Sequence, residues 1–289
     1  MSTALVTDST ATLPHEVCEQ RGIVVVPLRV VIGAKSYDEG VDRGATPKTV
    51  AEALSEWVPV STSRPTPAAI LEAYEKAVTD GATEIVSVHL SSQMSGTYES
   101  AQLAAAEASV PVTVVDSKQL GVATGFSVLT AADVLAAGGS AADAAAAARA
   151  RADATTSLFY VDTLEHLRRG GRIGAAAALL GSALSVKPLL KLEDGRIGTL
   201  EKVRTSGRAL SRLEELAVAA AGSEQVDVAV AHLANSERAD LLAANLRARL
   251  ADNLDDRHVV VCEVGAVIGA HVGPGMVAVV VAPRPTSGD

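Results

Sequence analysis

The segment Ile85–Thr97, IVSVHLSSQMSGT, ends in a cluster of hydroxyl side chains, and these are the residues best placed to do chemistry. Ser91, Ser92, Ser95 and Thr97 gather around Gly96, between a short apolar run and a helical segment over 98–108. The first N–H groups of a helix have no partner inside it, and the helix dipole makes that end positive. Neutral hydroxyl donors around the same point complete a seat for an anion, and a carboxylate or a phosphate would fit it.

Other candidate groups are scattered along the chain. Asp8-Ser9-Thr10 and Asp116-Ser117 each follow a short apolar run, and both aspartates read first as turn or cap residues. In STSRPTP (61–67), Thr66 and Pro67 open a helix, which leaves Thr62 and Ser63 free to serve a ligand. The segment LRRGGRI (167–173) reads as a solvated basic turn or as a docking patch for an anionic group or acidic partner. Toward the end of the chain, HVGPG (271–275) lies between apolar segments and reads as a tight turn. His271 at its start can donate to an anion or position a proton.

Several reaction classes find little support. Ser95, His271 and Asp116 can be assembled on paper into a hydrolase triad, but the GxSxG elbow is missing. Neither GxGxxG nor GxxxxGK followed by Ser or Thr occurs, so no nucleotide site is expected. The six histidines show no HExxH or paired spacing, and no metal site is expected.

Strand-then-helix alternation must position these groups. Strands are expected at 4–6, 23–32, 85–90 and 112–115, with helices over 46–55, 66–79 and 98–108 and from about 121 and 141. Such parallel sheets bind ligands at the carboxyl ends of their strands, where the three polar clusters would converge. The second half differs. A strand at 157–162 precedes the Arg- and Gly-rich stretch, and Glu193-Asp194-Gly195-Arg196 marks a hairpin between strands at 187–192 and 197–204. Helices over 206–221 and 236–251 and strands at 227–232, 259–264 and 276–281 complete it.

The 289 residues suffice for two modest domains, and 48% of them are apolar. With one Trp, two Phe, four Tyr and a formal charge of −9, the chain lacks both the stacking platforms and the basic surface that nucleic acid needs. Cys18 and Cys262 belong to no CxxC pair and read as reduced thiols. The start, MSTALVTDST, lacks a secretory signal, and no apolar run approaches the ~20 residues that cross a bilayer. A cytoplasmic protein without stable membrane insertion is expected.

In order along the chain stand VTDSTATLP, VVPLRVVIGAKSYDEGVD, STSRPTP, SSQMSGTYESA, VVDSKQLG, TLEHLRRGGRIG, KPLLKLEDGRIGTLEKVRT and VIGAHVGPGMVAV. Together they resemble the DegV family, which includes the fatty-acid-binding FakB proteins. The resemblance implies an α/β chain of two domains. An N-terminal, mostly parallel three-layer α/β/α domain would occupy 1–155, and a C-terminal α/β domain with antiparallel pairing 156–289. The ligand, a long-chain fatty acid, would lie between them. Its carboxylate would be held by Thr62, with Ser63 beside it, by Ser95 and the backbone of Gly96, with His271 near the head group. One departure from many relatives is Arg64 in place of Gln, with Thr66 in place of Ser.

By this resemblance the protein is a carrier and not itself an enzyme. It would present the carboxylate to a separate FakA-type, ATP-dependent fatty acid kinase and carry the acyl-phosphate. No catalytic residue, cofactor or metal is expected. Arg168, Arg169 and Arg172 are the candidates for contact with the kinase or the transferring phosphate. The alternative is a stand-alone acyl hydrolase or phosphotransfer enzyme using Ser95 and His271.

Overall fold

A computed structural model describes residues 2–179 and 187–285. The strands are β1 (Thr3–Asp8), β2 (Ile23–Val26), β3 (Arg29–Ile32), β4 (Lys35–Asp38), β5 (Val60–Ser63), β6 (Glu84–His89), β7 (Val112–Asp116), β8 (Thr156–Tyr160), β9 (Lys187–Glu193), β10 (Arg196–Val203), β11 (Val226–His232), β12 (Val260–Glu263) and β13 (Val277–Pro283). The helices are α1 (His15–Arg21), α2 (Pro47–Ser55), α3 (Pro67–Thr79), α4 (Thr97–Glu107), α5 (Val122–Ala136), α6 (Ala141–Ala154), α7 (Glu165–Arg169), α8 (Ser206–Ala221), α9 (Ser236–Arg249), α10 (Ala251–Leu254) and α11 (Ala266–Val272).

Four strands pair in parallel in the order β2-β1-β6-β7. The inner strands β1 and β6 are apolar on both faces, as a sheet covered by helices on both sides requires. Leu5 and Val86 face α5 and the alanine-rich α6, while Val6 and Ile85 face α3 and α4. Three layers result. Thr46 and Thr66 cap α2 and α3 by accepting from the N–H groups of Thr49 and Ala69, each followed by its first-turn proline.

The second large sheet runs β10-β9-β8-β13-β11-β12 and is antiparallel except for the β11–β12 pair. The hairpin expected at Asp194-Gly195 joins β9 to β10. Val228 and Val230 point to the core under α8 and α9, whereas Ala229, Val280 and Ala282 on the other face meet Val122, Ala123 and Phe126 of α5. At this seam the buried Arg151 of α6 pairs with Asp227 of β11, which also receives Arg257 at 2.7 Å and Arg284 at 3.3 Å.

Three local expectations need correction. The stretch 23–32 is not one strand, because Pro27 offers no N–H to a ladder. It divides into β2 in the parallel sheet and β3 in a small antiparallel sheet of order β4-β3-β5. That third sheet was not foreseen, and it turns the supposed loop at 61–63 into part of β5, with Thr62 opposite Val30. His271 lies near the end of helix α11 rather than in a turn; only from Gly273, at φ 74, does the backbone leave the helix.

Strands β1, β6 and β7 are parallel neighbours, so Asp8, His89 and Asp116 reach the same sheet edge. Asp8 organises that edge. One carboxylate oxygen accepts from the N–H and hydroxyl of Thr10 at 3.1 and 2.5 Å. The other accepts from Leu90 N–H at 3.0 Å and meets His89 Nδ1 at 3.0 Å. His89 Nε2 continues to Ser87 Oγ at 2.8 Å and then to the Tyr74 hydroxyl at 2.9 Å, all fully buried. Replacing Asp8→Ala strands two backbone donors and an imidazole in a dry interior. Urea denaturation should show a loss of stability on the order of 3 kcal/mol, whereas a loss within error would mean the edge is held by packing alone.

Candidate functional site

Thr10 and the serine turn after β6 reach a cavity of about 270 Å³ between the parallel sheet edge, the small sheet and α11, whereas Asp116 and Ser117 do not line it. Each wall is set by a different element. Strand β5 brings Thr62 and Ser63, with Arg64 just beyond it, and the turn after β6 brings Met94, Ser95 and Gly96. Helix α11 contributes Val267, Ile268, His271 and Val272, and the turn after α7 contributes Arg172.

The head of the cavity is polar but carries few free charges. Thr62 Oγ1 and His271 Nε2 share a hydrogen bond of 2.8 Å. Burial, reinforced by the positive charge of Arg172, pushes the His271 imidazole down to about 4, so it is neutral at neutral pH. Ser95 Oγ shares a 2.9 Å bond with Thr97 Oγ1. Gly96 caps α4, and its N–H makes no bond among the described residues, so it remains available with the first-turn donors of that helix. Arg64 lies across Gly96, donating from Nη1 to its carbonyl at 3.1 Å; any side chain at position 96 would collide with the guanidinium. Arg172 donates from Nε to Met94 O at 3.0 Å and from Nη1 to Gly170 O at 2.6 Å, which ties its loop to the Ser95 turn.

Beyond this head the character changes. A second chamber of about 80 Å³ shares Leu120, Ile197, Ile268 and Val272 with the first. Its remaining wall is apolar apart from Ser157, with Phe159, Ala231, Met276, Ala278 and Val280 supplied by the large mixed sheet. The polar head and an apolar chamber under α11 thus share one wall. On the outer side, a surface cavity of about 360 Å³ also touches Thr62, His271 and Arg172 and is walled by Trp57, His166 and Arg169. The Thr62–His271 pair stands between the two spaces.

Of the residues expected from the sequence, Thr62, Ser63, Ser95, Gly96, His271 and Arg172 meet in the one cavity. Arg168 and Arg169 do not. Both pair with Glu165, whose carboxyl they hold down to about 2, and the Arg169 guanidinium lies 4.9 Å from the centre of the Trp57 ring. The hydrolase arrangement is not assembled either. Ser95 bonds Thr97, His271 bonds Thr62, and Asp116 accepts from the N–H groups of Ser92 and Lys118 at 3.2 and 2.8 Å. Sequence reasoning missed the walls given by Leu28 and Leu167, whereas Thr10 came from one of the expected polar clusters. Arg64, beside Thr62 and Ser63 in the sequence, also lines the cavity.

Among the described residues, no group of three His, Cys, Asp or Glu side chains could hold a metal ion, and no helix is long and apolar enough to cross a membrane. Cys18 and Cys262 are both free, and burial pushes the Cys262 thiol up to about 11, which leaves it a poor nucleophile.

Comparison with known proteins gives a consistent result. A family model described as "Uncharacterised protein, DegV family" matches residues 2–284. A DegV domain-containing protein of Streptomyces coelicolor is 53% identical over 281 residues, 97% of this chain and 98% of the relative. The structure of DegV from Bacillus subtilis, described as a fatty acid binding protein, is 33% identical with a TM-score of 0.87, covering 98% of this chain and 100% of that one. A DegV family protein from Thermus thermophilus, solved in a study of its fatty acid binding, is 31% identical with a TM-score of 0.89 at the same coverage.

The neutral imidazole sets a pH expectation. In the unfolded chain His271 takes up a proton near 6.5, but in the folded protein only near 4. Its contribution to stability is therefore intact above about pH 6.5 and lost as pH falls toward 4. NMR titration should place the His271 midpoint near the lower value, and His271→Gln should flatten the acid side of the stability profile relative to the parent. A midpoint near 6.5 would show that water reaches the ring.

Proposed function

The chain belongs to the DegV family, and we propose that it is a carrier that binds a long-chain fatty acid and presents the carboxylate for phosphorylation. One observation carries this reading: a head chamber of hydroxyls, a backbone N–H with no partner among the described residues and a neutral imidazole adjoins an apolar chamber, with four side chains lining both. The description of the Bacillus and Thermus relatives as fatty acid binders supports it. The lobes meeting over the ligand are residues 1–155 and 156–289.

The energetics suit such a division of labour. Burying an acyl tail contributes about 0.8 kcal/mol per methylene, so ~14 methylenes supply about 11 kcal/mol before the cost of association. The head group need only be satisfied. Thr62, Ser63, Ser95 and the Gly96 N–H donate to the carboxylate, with His271 adjoining it. Two N–H groups of Arg172 are engaged by the carbonyls of Met94 and Gly170, so its guanidinium would add positive charge beside the carboxylate while neutral donors make most of the contacts. Since the sequence has no nucleotide-binding motif, the phosphoryl donor must be brought by another protein, a FakA-type fatty acid kinase. A carboxylate oxygen would take the γ-phosphoryl group of ATP, with release of ADP, and the carrier would hold the acyl-phosphate. The second cavity would give the partner a route to the Thr62–His271 pair, and Arg169 in its wall, with the exposed Arg168 paired to the same Glu165, would suit contact with that partner.

Mass spectrometry of the organic extract from freshly purified, denatured protein should find a fatty acid in near-stoichiometric amount. An empty extract together with no uptake of added oleate would sink the carrier reading. Replacing Thr62 and Ser95 together by Ala should weaken oleate binding about tenfold or more, since each removes a bond to a charged acceptor. Arg168→Ala with Arg169→Ala should leave oleate binding unchanged but slow phosphorylation by a FakA-type kinase; equal rates would exclude those two residues from the contact.

A further inference from the structure

Glu39 does not line the cavity, yet it is buried, with 7% of its surface exposed, and both carboxylate oxygens are engaged. One accepts from Val267 N–H, in the first turn of α11, at 2.8 Å. The other accepts from the Ser9 hydroxyl at 2.6 Å, and Ser9 Oγ in turn accepts from Leu28 N–H at 3.0 Å. Glu39 N–H donates to the Leu28 carbonyl at 2.9 Å. Gly265, the residue before the helix, leaves the space that the carboxylate fills; a methyl group there would overlap Glu39 Oε1.

The helix so gripped is the one that carries His271. It has 7 residues, hence a length of about 10 Å. Its hold on the site is correspondingly direct, because Val267, Ile268, His271 and Val272 all face the cavity. A displaced first turn cannot be absorbed before it reaches His271. Among the described residues Nδ1 is buried without a hydrogen-bond partner, so Thr62 makes the ring's hydrogen bond, at Nε2, and Gly170 packs against its other side. Both ends of the helix are held by one small sheet. Glu39 follows edge strand β4 and takes the N-terminal end, while Thr62 in the opposite edge strand β5 takes the C-terminal end.

We propose that Glu39 is a positioning residue for the head-group site, clamping α11 from the small sheet so that His271 meets Thr62. Residues 228 positions apart in the chain are thereby made one unit. The consequence for ligand affinity rests on the carrier reading; the consequence for the imidazole does not.

The test compares Glu39→Ala, Glu39→Gln and Ser9→Ala in the full chain. Imidazole signals of lipid-free protein, labelled at histidine nitrogen and assigned with His271→Gln, report ring position. Oleate titration reports binding. Glu39→Ala should shift the His271 signals, leave those of surface His258 in place, and weaken oleate binding about tenfold, the equivalent of ~1.4 kcal/mol. Glu39→Gln should restore both, because its amide oxygen still accepts from Val267 N–H and its amide nitrogen can donate to Ser9. A folded Glu39→Ala protein with parental His271 signals and parental affinity would overturn the proposal. Should Glu39→Ala fail to fold, Ser9→Ala loosens the same clamp, and unchanged His271 signals in that variant would overturn it equally. If the parent itself takes up no oleate, the carrier reading fails while the imidazole signals still decide the clamp.

Discussion

The hydrogen bond between Thr62 and His271 joins residues 209 positions apart, and the rest of the site is arranged around it. It fastens the small sheet to a short helix near the end of the chain. Both residues also line the neighbouring cavity walled by Trp57, His166 and Arg169. The bond places a weak donor–acceptor pair where a carboxylate head would lie. Burial removes the charge from the imidazole, so no cation is stranded in the absence of a ligand.

The carrier role proposed above asks for a site that satisfies an anion without consuming it. Under that proposal a buried lysine would hold a carboxylate more tightly but would also cover the oxygens that react. The protein keeps its arginines occupied. Arg172 donates to the carbonyls of Met94 and Gly170, Arg64 to that of Gly96, and Arg168 and Arg169 to Glu165. Beside the remaining N–H groups of Arg64 and Arg172, the donors at the head of the cavity are hydroxyls and backbone N–H groups, whose hydrogen bonds are individually modest. Under the same proposal affinity falls to the apolar chamber, whose wall includes the small side chains of Ala231 and Ala278.

Much of the secondary structure was legible because its signals are local. The Thr-Pro pairs at 46–47 and 66–67 start helices, and Asp194-Gly195 turns a hairpin, through bonds made within a few residues. The convergence of Asp8, the serine turn and Asp116 also followed, since adjacent parallel strands end on one edge. The small sheet was not legible. Its strands are four residues each, and Pro27 interrupts an otherwise uniform β-branched run, so periodicity gave one strand where there are two. The helix over His271 was hidden as well, because AVIGAHV contains too few turns for a helical period to register.

By itself the sequence determined the α/β class, most of the helices and strands, and a hydroxyl-rich turn before α4. It also determined, through its motifs, membership of the DegV family. Only the tertiary structure decided that Thr62 and His271 touch, that Arg172 enters the site while Arg168 and Arg169 stay outside, and that Glu39 grips the helix bearing His271. It also decided that His89 lies buried between Asp8 and Ser87. The physical reason is one of range. Caps, turns and alternation are settled between neighbours in the chain, whereas burial, a depressed imidazole and a cavity exist only when segments hundreds of residues apart exclude water together.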